Sequence, residues 1–136
     1  MILDDIATYL AANSTRLTVG VNLTKSFMPD TPDTCTTVFE TGGFVPVHYM
    51  STGTQTRTFE SPSIMVHSRS TDYQTVRSVI DDVFTILDGV RDTNLPTSTG
   101  TYYQQIGAVQ SPFLVTRDQN DRFVLSVNFD VTKTTG

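Results

Sequence analysis

The sequence predicts an α+β fold: a mainly antiparallel β-sheet with an N-terminal helix and one long central helix packed on one face. Three observations lead there. Threonine, which suits pleated, half-buried positions better than helices, is frequent along the whole chain. Apolar residues alternate in several separate runs, the period of a strand with one buried face. Two stretches change instead to a spacing of three and four, and the strands come in runs rather than alternating with helices, which separates α+β from a parallel α/β sheet.

Each element follows from local pattern. "ILDDIATYLAAN" places Leu3, Ile6, Ala7 and Leu10 on one helical stripe, with Asp4 and Asp5 in the first turn, where the helix dipole favours negative charge. "RLTVGVNL" alternates Leu17, Val19, Val21 and Leu23 and reads as a strand. The prolines and aspartates from Pro29 to Asp33 make a loop with turns. "CTTVFETGG" reads as a strand that ends in a glycine turn at Gly42 and Gly43. Phe44 to Thr56, rich in Thr, Ser and Gly, reads either as a hairpin tip or as a mobile loop.

In "SIMVHSRS" the side chains of Ile64 and Val66 point one way, and those of Met65, His67 and Arg69 the other. Thr71 and Gln74 match a capping box that opens a helix running to Asp88 and stopping at Gly89. Its stripe is Tyr73, Val76, Ile80, Val83 and Leu87, widened by Val79 and Ile86. A polar linker is expected from Arg91 to Gly100, then strands in "TYYQQIGAV" and "PFLVTR", and a turn at "DQND". "RFVLSVNFDV" alternates throughout, with Phe123, Leu125, Val127, Phe129 and Val131 on one face and Arg122, Ser126, Asn128 and Asp130 on the other. Phe113 to Val131 is the clearest hairpin in the chain.

Length and charge bound the function. A chain of 136 residues predicts a single domain, 1–136, with one core. No run approaches the ~20 apolar residues of a membrane span, and the N-terminus lacks a basic-then-apolar leader, so the chain is expected to work where it is made. Nine basic residues against 14 acidic ones give a formal charge of −5, which argues against gripping nucleic acid but not against DNA passing nearby. Cys35 is the only cysteine, so no intrachain disulfide and no cysteine-based metal cluster is expected.

A search for chemistry finds no catalytic, cofactor-binding or metal-ligating set. His48 and His67 have no ligand partners at metal spacing, and His67 reads as ordinary sheet packing or solvent exposure. Asp81 and Asp82 diverge on the helix by roughly 100° and cannot act as a paired acid and base. Arg77 and Asp81, four apart, read as a solvated ion pair. Gly42 and Gly43 lack the context of a phosphate loop, and Asp30, Asp33 and Glu40 miss the spacing of a calcium loop. No enzymatic activity is expected.

Three segments, "MPDTPDTC…FETGG", "SPSIMVHSRSTDY…ILDG" and "SPFLVTRDQNDRFVLSVNFDV", resemble the minor capsid or tail-completion (tail terminator) proteins of long-tailed bacteriophages, and the resemblance runs from the first helix to the last strand. It rests on Pro29 to Asp33 followed by Cys35, with Gly42-Gly43 closing the next strand, on Arg69 just before Asp72 and Tyr73, and, as its most telling part, on the hairpin Ser111-Pro112-Phe113 through Arg117-Asp118, Arg122 and Asn128-Phe129. Asp121 stands where a turn glycine is typical, and His67-Ser68 where an aliphatic residue is.

The resemblance implies a virion protein of the phage neck, assembled in the host cytoplasm, with no catalysis and no cofactor. It implies a ring of copies of itself, a homohexamer, between the tail-tube protein and the head–tail connector or stopper protein. DNA would be only a passing cargo in the lumen, and no membrane is involved. On the residues alone a head-completion or stopper component stays open beside the terminator. A soluble binding module or hydrolase, resting on His67 and Asp72 at the strand-to-helix junction, is the third reading.

Overall fold

The computed structural model describes residues 2–50, 56–95, 97 and 100–134, with side chains described throughout these except at 44–50 and 56–58. The elements in chain order are α1 (Ile2–Asn13), β1 (Leu23–Lys25), β2 (Cys35–Met50), β3 (Thr56–Ser70), α2 (Tyr73–Leu87), β4 (Val90–Leu95), β5 (Thr101–Ala108), β6 (Phe113–Arg117) and β7 (Phe123–Thr134). Seven strands form one sheet in the order β1-β2-β3-β7-β5-β4, and β6 also pairs with β7. Every pairing is antiparallel but one: β1 runs parallel to β2. β5 and β6 lie end to end along the same side of β7, with Ala108 opposite Phe129 and Phe113 opposite Ser126.

The helices form where the spacing places them. Leu3, Ile6, Ala7 and Leu10 of α1 are buried, as are Val76, Val79, Ile80, Val83 and Leu87 of α2. They join Val38, Ile64, Val66, Ile106, Val127 and Phe129 of the sheet in one cluster. Each large aliphatic side chain so buried contributes about 1.5–3 kcal/mol, which holds helices of 12 and 15 residues that propensity alone would leave marginal. Tyr73, expected on the buried stripe, is instead exposed and meets Phe123 edge-on at 5.5 Å.

The cap of α2 lies one residue later than the Thr71–Gln74 pattern suggests. Asp72 is the N-cap, and its carboxylate accepts hydrogen bonds from the Thr75 N–H at 3.2 Å and the Thr75 hydroxyl at 2.7 Å. Asp is as good a cap as Thr, and local geometry chose between them. The helix ends as the sequence suggests. The Asp88 N–H donates to the Phe84 carbonyl at 2.9 Å, and Gly89 follows at φ +88°.

Three further expectations do not hold. The segment Leu17 to Leu23 is a turn, with strand only from Leu23. Gly20 lies at φ +83°, and the Asn22 side chain closes the turn by accepting from the Thr18 N–H and donating to the Arg16 carbonyl, both at 2.7 Å. Side-chain-to-backbone bonds of this kind compete with a strand ladder. Gly42 and Gly43 are not a turn. β2 runs through them to Met50, with a register shift between Thr41 and Phe44. Gly43 is required because a Cβ there would lie 2.1 Å from the Ser61 carbonyl oxygen on the partner strand.

Within the expected linker Arg91 to Gly100, Val90–Leu95 forms β4 against β5. Only Val90 and Leu95 are buried, and Asp92 at φ 48° interrupts the extended backbone, so alternation is invisible in the sequence. For Phe44 to Thr56, hairpin pairing continues to Met50 opposite Thr56, and residues 51–55 lie outside those described. Asp121, in place of the typical turn glycine, sits at φ 57° between β6 and β7. Asp is among the residues that tolerate this left-handed conformation.

Candidate docking loop

The segments that carry the resemblance meet at one end of the sheet. Arg69 closes β3 and Arg122 precedes β7, and each is only 5% exposed. Arg69 shares its parity with Met65 and His67, on the face turned from the helices. Burying two guanidinium groups is costly unless their donors are satisfied. The loop between β1 and β2 satisfies them.

Arg69 Nη2 donates to the carbonyls of Pro29 at 2.6 Å and Pro32 at 2.7 Å, and its Nε to that of Asp33 at 3.2 Å. Arg122 Nη1 donates to the Asp30 carbonyl at 2.7 Å, and its Nη2 to Asp30 Oδ1 at 3.0 Å. Asp33 Oδ1 lies 3.4 Å from Arg122 Nη1. Behind them Arg122 Nε donates to Asp118 Oδ2 at 2.7 Å. The prolines remove competing backbone donors, and the Thr31–Pro32 peptide bond is cis.

Asp118 also ties the β6–β7 turn. It accepts from the backbone N–H groups of Asn120 at 2.9 Å and Arg122 at 3.0 Å. Desolvation pushes its carboxyl up, but these bonds and the Arg122 guanidinium together bring it below the usual carboxylate value. Asp30, Asp33 and Asp118 thus converge on Arg122, two of them with largely exposed side chains.

The Phe27 to Thr34 loop is thus anchored from below by two buried cations. Its upper surface, formed by Asp30, Thr31 and Pro32, faces solvent. A loop held in this way offers a preshaped contact surface with little conformational entropy left to lose on binding.

The residues weighed for chemistry do not come together. The His67 ring packs edge-on against Phe39 at 5.3 Å, and burial lowers its pKa, favouring the neutral form. Asp72 is occupied as a helix cap. The Cys35 thiol is buried beside Thr24 Oγ1, 3.9 Å away. It borders a cleft of about 310 Å³ lined also by Arg16, Leu17 and Val79, with no carboxylate or histidine in the lining. Arg77 and Asp81 pair at 3.5 Å on the outer side of α2, as expected. Among the described residues no group of three or more His, Cys, Asp or Glu is placed to hold a metal ion, and no helix is long and apolar enough to cross a membrane.

Alternation puts Arg122 on the polar face with Ser126, Asn128 and Asp130, but gives no sign that its guanidinium is buried there. The available signal was Asp118 four residues earlier across a tight turn, beside a proline-rich loop full of acceptors.

Comparison with known proteins bears directly on this arrangement. The family model described as bacteriophage tail terminator protein matches residues 9–135, which include the loop, both arginines and the final hairpin. The chain belongs to the bacteriophage tail terminator family. Among curated proteins no match is found. Among solved structures, a chain of the virion of a native gene transfer agent particle is similar, with a TM-score of 0.57 at 11% identity, covering 97% of this chain and 96% of that one. At that identity the likeness is one of fold. With the family, it makes this chain a structural protein of a phage tail.

Proposed function

We propose that the chain is a non-catalytic neck protein, folded as one domain. Copies close into a hexameric ring that ends the tail tube and joins it to the head connector, with DNA crossing the lumen. It assembles in the host cytoplasm and resides at the head-proximal end of the tail. The observation that carries the reading is the arginine-clamped loop. A family member built to seat on a stacked partner needs a contact surface fixed before docking, and buried charge is spent here on fixing one.

The charge of −5 suits a conduit, since carboxylates repel the phosphate backbone rather than hold it. Deleting the gene tests the proposal. Overlong or headless tails beside DNA-filled heads are expected. Tails of normal length attached to heads refute it, and leaking heads with normal free tails assign the chain to head completion instead.

A further inference from the structure

The exposed large apolar side chains are not scattered. Of the eight among the described residues, Val19, Val21 and Phe27 flank β1, while Val109, Phe113, Leu114 and Val115 lie on or just before β6. The eighth, Tyr73, rests on Phe123. β1 and β6 are opposite edges of the sheet and stand level with one another. Leu23 pairs with Thr36, Thr36 with Ser68, Ser68 with Leu125, and Leu125 with Leu114. The two patches thus end a single five-strand row, roughly 19 Å across at the usual strand spacing.

All five residues of β6 are exposed, and β7 is its one strand partner among the described residues. An apolar edge without a guarding charge at its centre is a pairing site unless something covers it. The β1 edge is different. Val19 bridges to Leu23, and the Gly20 N–H donates to the Leu23 carbonyl at 2.9 Å, so a neighbour meets side chains there rather than free backbone.

Resting on the ring reading above, we propose that the β6 edge of each copy seats against the Val19, Val21 and Phe27 patch of the next. Two unlike apolar patches at opposite ends of one strand row make a head-to-tail contact, which propagates around a ring, whereas a two-fold dimer needs one patch facing itself. Three or four side chains a side cover a few hundred Å², short of the ~800 Å² per partner of a stable free pair. The contact persists where each copy makes it twice, in a closed ring.

The test places Val21→Cys and Leu114→Cys, singly and together, into the chain carried by assembled phage, and treats purified particles with a short bismaleimide. The buried Cys35 supplies the background control in the parent. A ladder of linked copies is expected in the double variant alone. Dimers from Leu114→Cys by itself reveal β6 facing β6 and overturn the proposal. No ladder in particles that contain the double variant and have normal tails also overturns it, while leaving the ring reading intact. Absence of the chain from wild-type particles overturns both. A companion variant, Leu114→Asp, is expected to keep the parent melting temperature as a purified protein and to fail in restoring tail length; restoration refutes the contact.

Discussion

Replacing Arg69 with methionine removes the larger part of the clamp while keeping most of the buried volume. Its two short bonds, 2.6 Å to the Pro29 carbonyl and 2.7 Å to that of Pro32, are charge-assisted, and each such bond is worth about 1.5–3 kcal/mol. The third, 3.2 Å to the Asp33 carbonyl, is longer and weaker. Pro32 and Asp33 are exposed and Pro29 is half-buried, so the orphaned carbonyls find water and the low end of the range applies. The two short bonds then sum to about 3 kcal/mol, and better burial of the methionine offsets roughly 1 of these, leaving a loss of about 2 kcal/mol. For a domain of this size that lowers Tm by about 6–10 °C.

Calorimetry measures the shift, and hydrogen exchange should show faster exchange at residues 27–34 than in β3 or β7. Arg16→Met is the comparison. Its partner Asp82 lies 3.1 Å away, but the two side chains are 49% and 43% exposed, so the loss should stay below about 1 kcal/mol. A Tm for Arg69→Met within about 2 °C of the parent, with unchanged exchange in the loop, would refute the clamp.

Tyr103→Phe should cost about 1.5–3 kcal/mol in urea denaturation at unchanged slope, because the buried Tyr103 hydroxyl donates at 2.8 Å to the buried Asp5 carboxylate; an unshifted midpoint tells against it. Gly43→Ala should loosen the β2–β3 ribbon and invite proteolysis there, while Gly42→Ala, with open space around its Cβ, should not; equal behaviour of the two sinks the close-approach argument. Asp72→Ala should lower Tm by a few degrees and Gln74→Ala should leave it nearly unchanged, since the cap is Asp72; the reverse order would restore Thr71 as the cap.

Acidification should destabilise in two stages, followed as Tm against pH. Burial lowers the pKa of His67, so the unfolded chain takes up that proton more readily and stability declines as pH falls below about 6.5. The carboxyls of Asp72, held down first by the Thr75 hydroxyl, and of Asp118 contribute stability that is complete above about pH 4 and is lost as pH drops through their lower folded values. A Tm that rises between pH 6.5 and 3 contradicts both assignments.

Both helices and the strands β3 and β7 were legible from the sequence because each has an apolar period tied to local geometry, whereas β5 and β6 were legible only as β-forming runs between turn residues, all five residues of β6 being exposed. Ile64 and Val66, or Val76, Ile80 and Val83, declare a buried face wherever the chain places them. The absence of a recognisable active-site motif, the acidic balance and the family resemblance were equally available in the bare chain. Tertiary structure alone decided what depends on partners far along the chain. Arg122 and Asp30 are 92 residues apart, Arg69 and Pro29 are 40 apart, and Tyr103 and Asp5 are 98 apart. A polar residue's periodicity does not report whether its charge ends in water or on a carbonyl. Nor does a period of two say which strands become edges. That Val19, Val21, Phe113 and Leu114 finish on opposite sides of one sheet follows only from the order in which the strands pair.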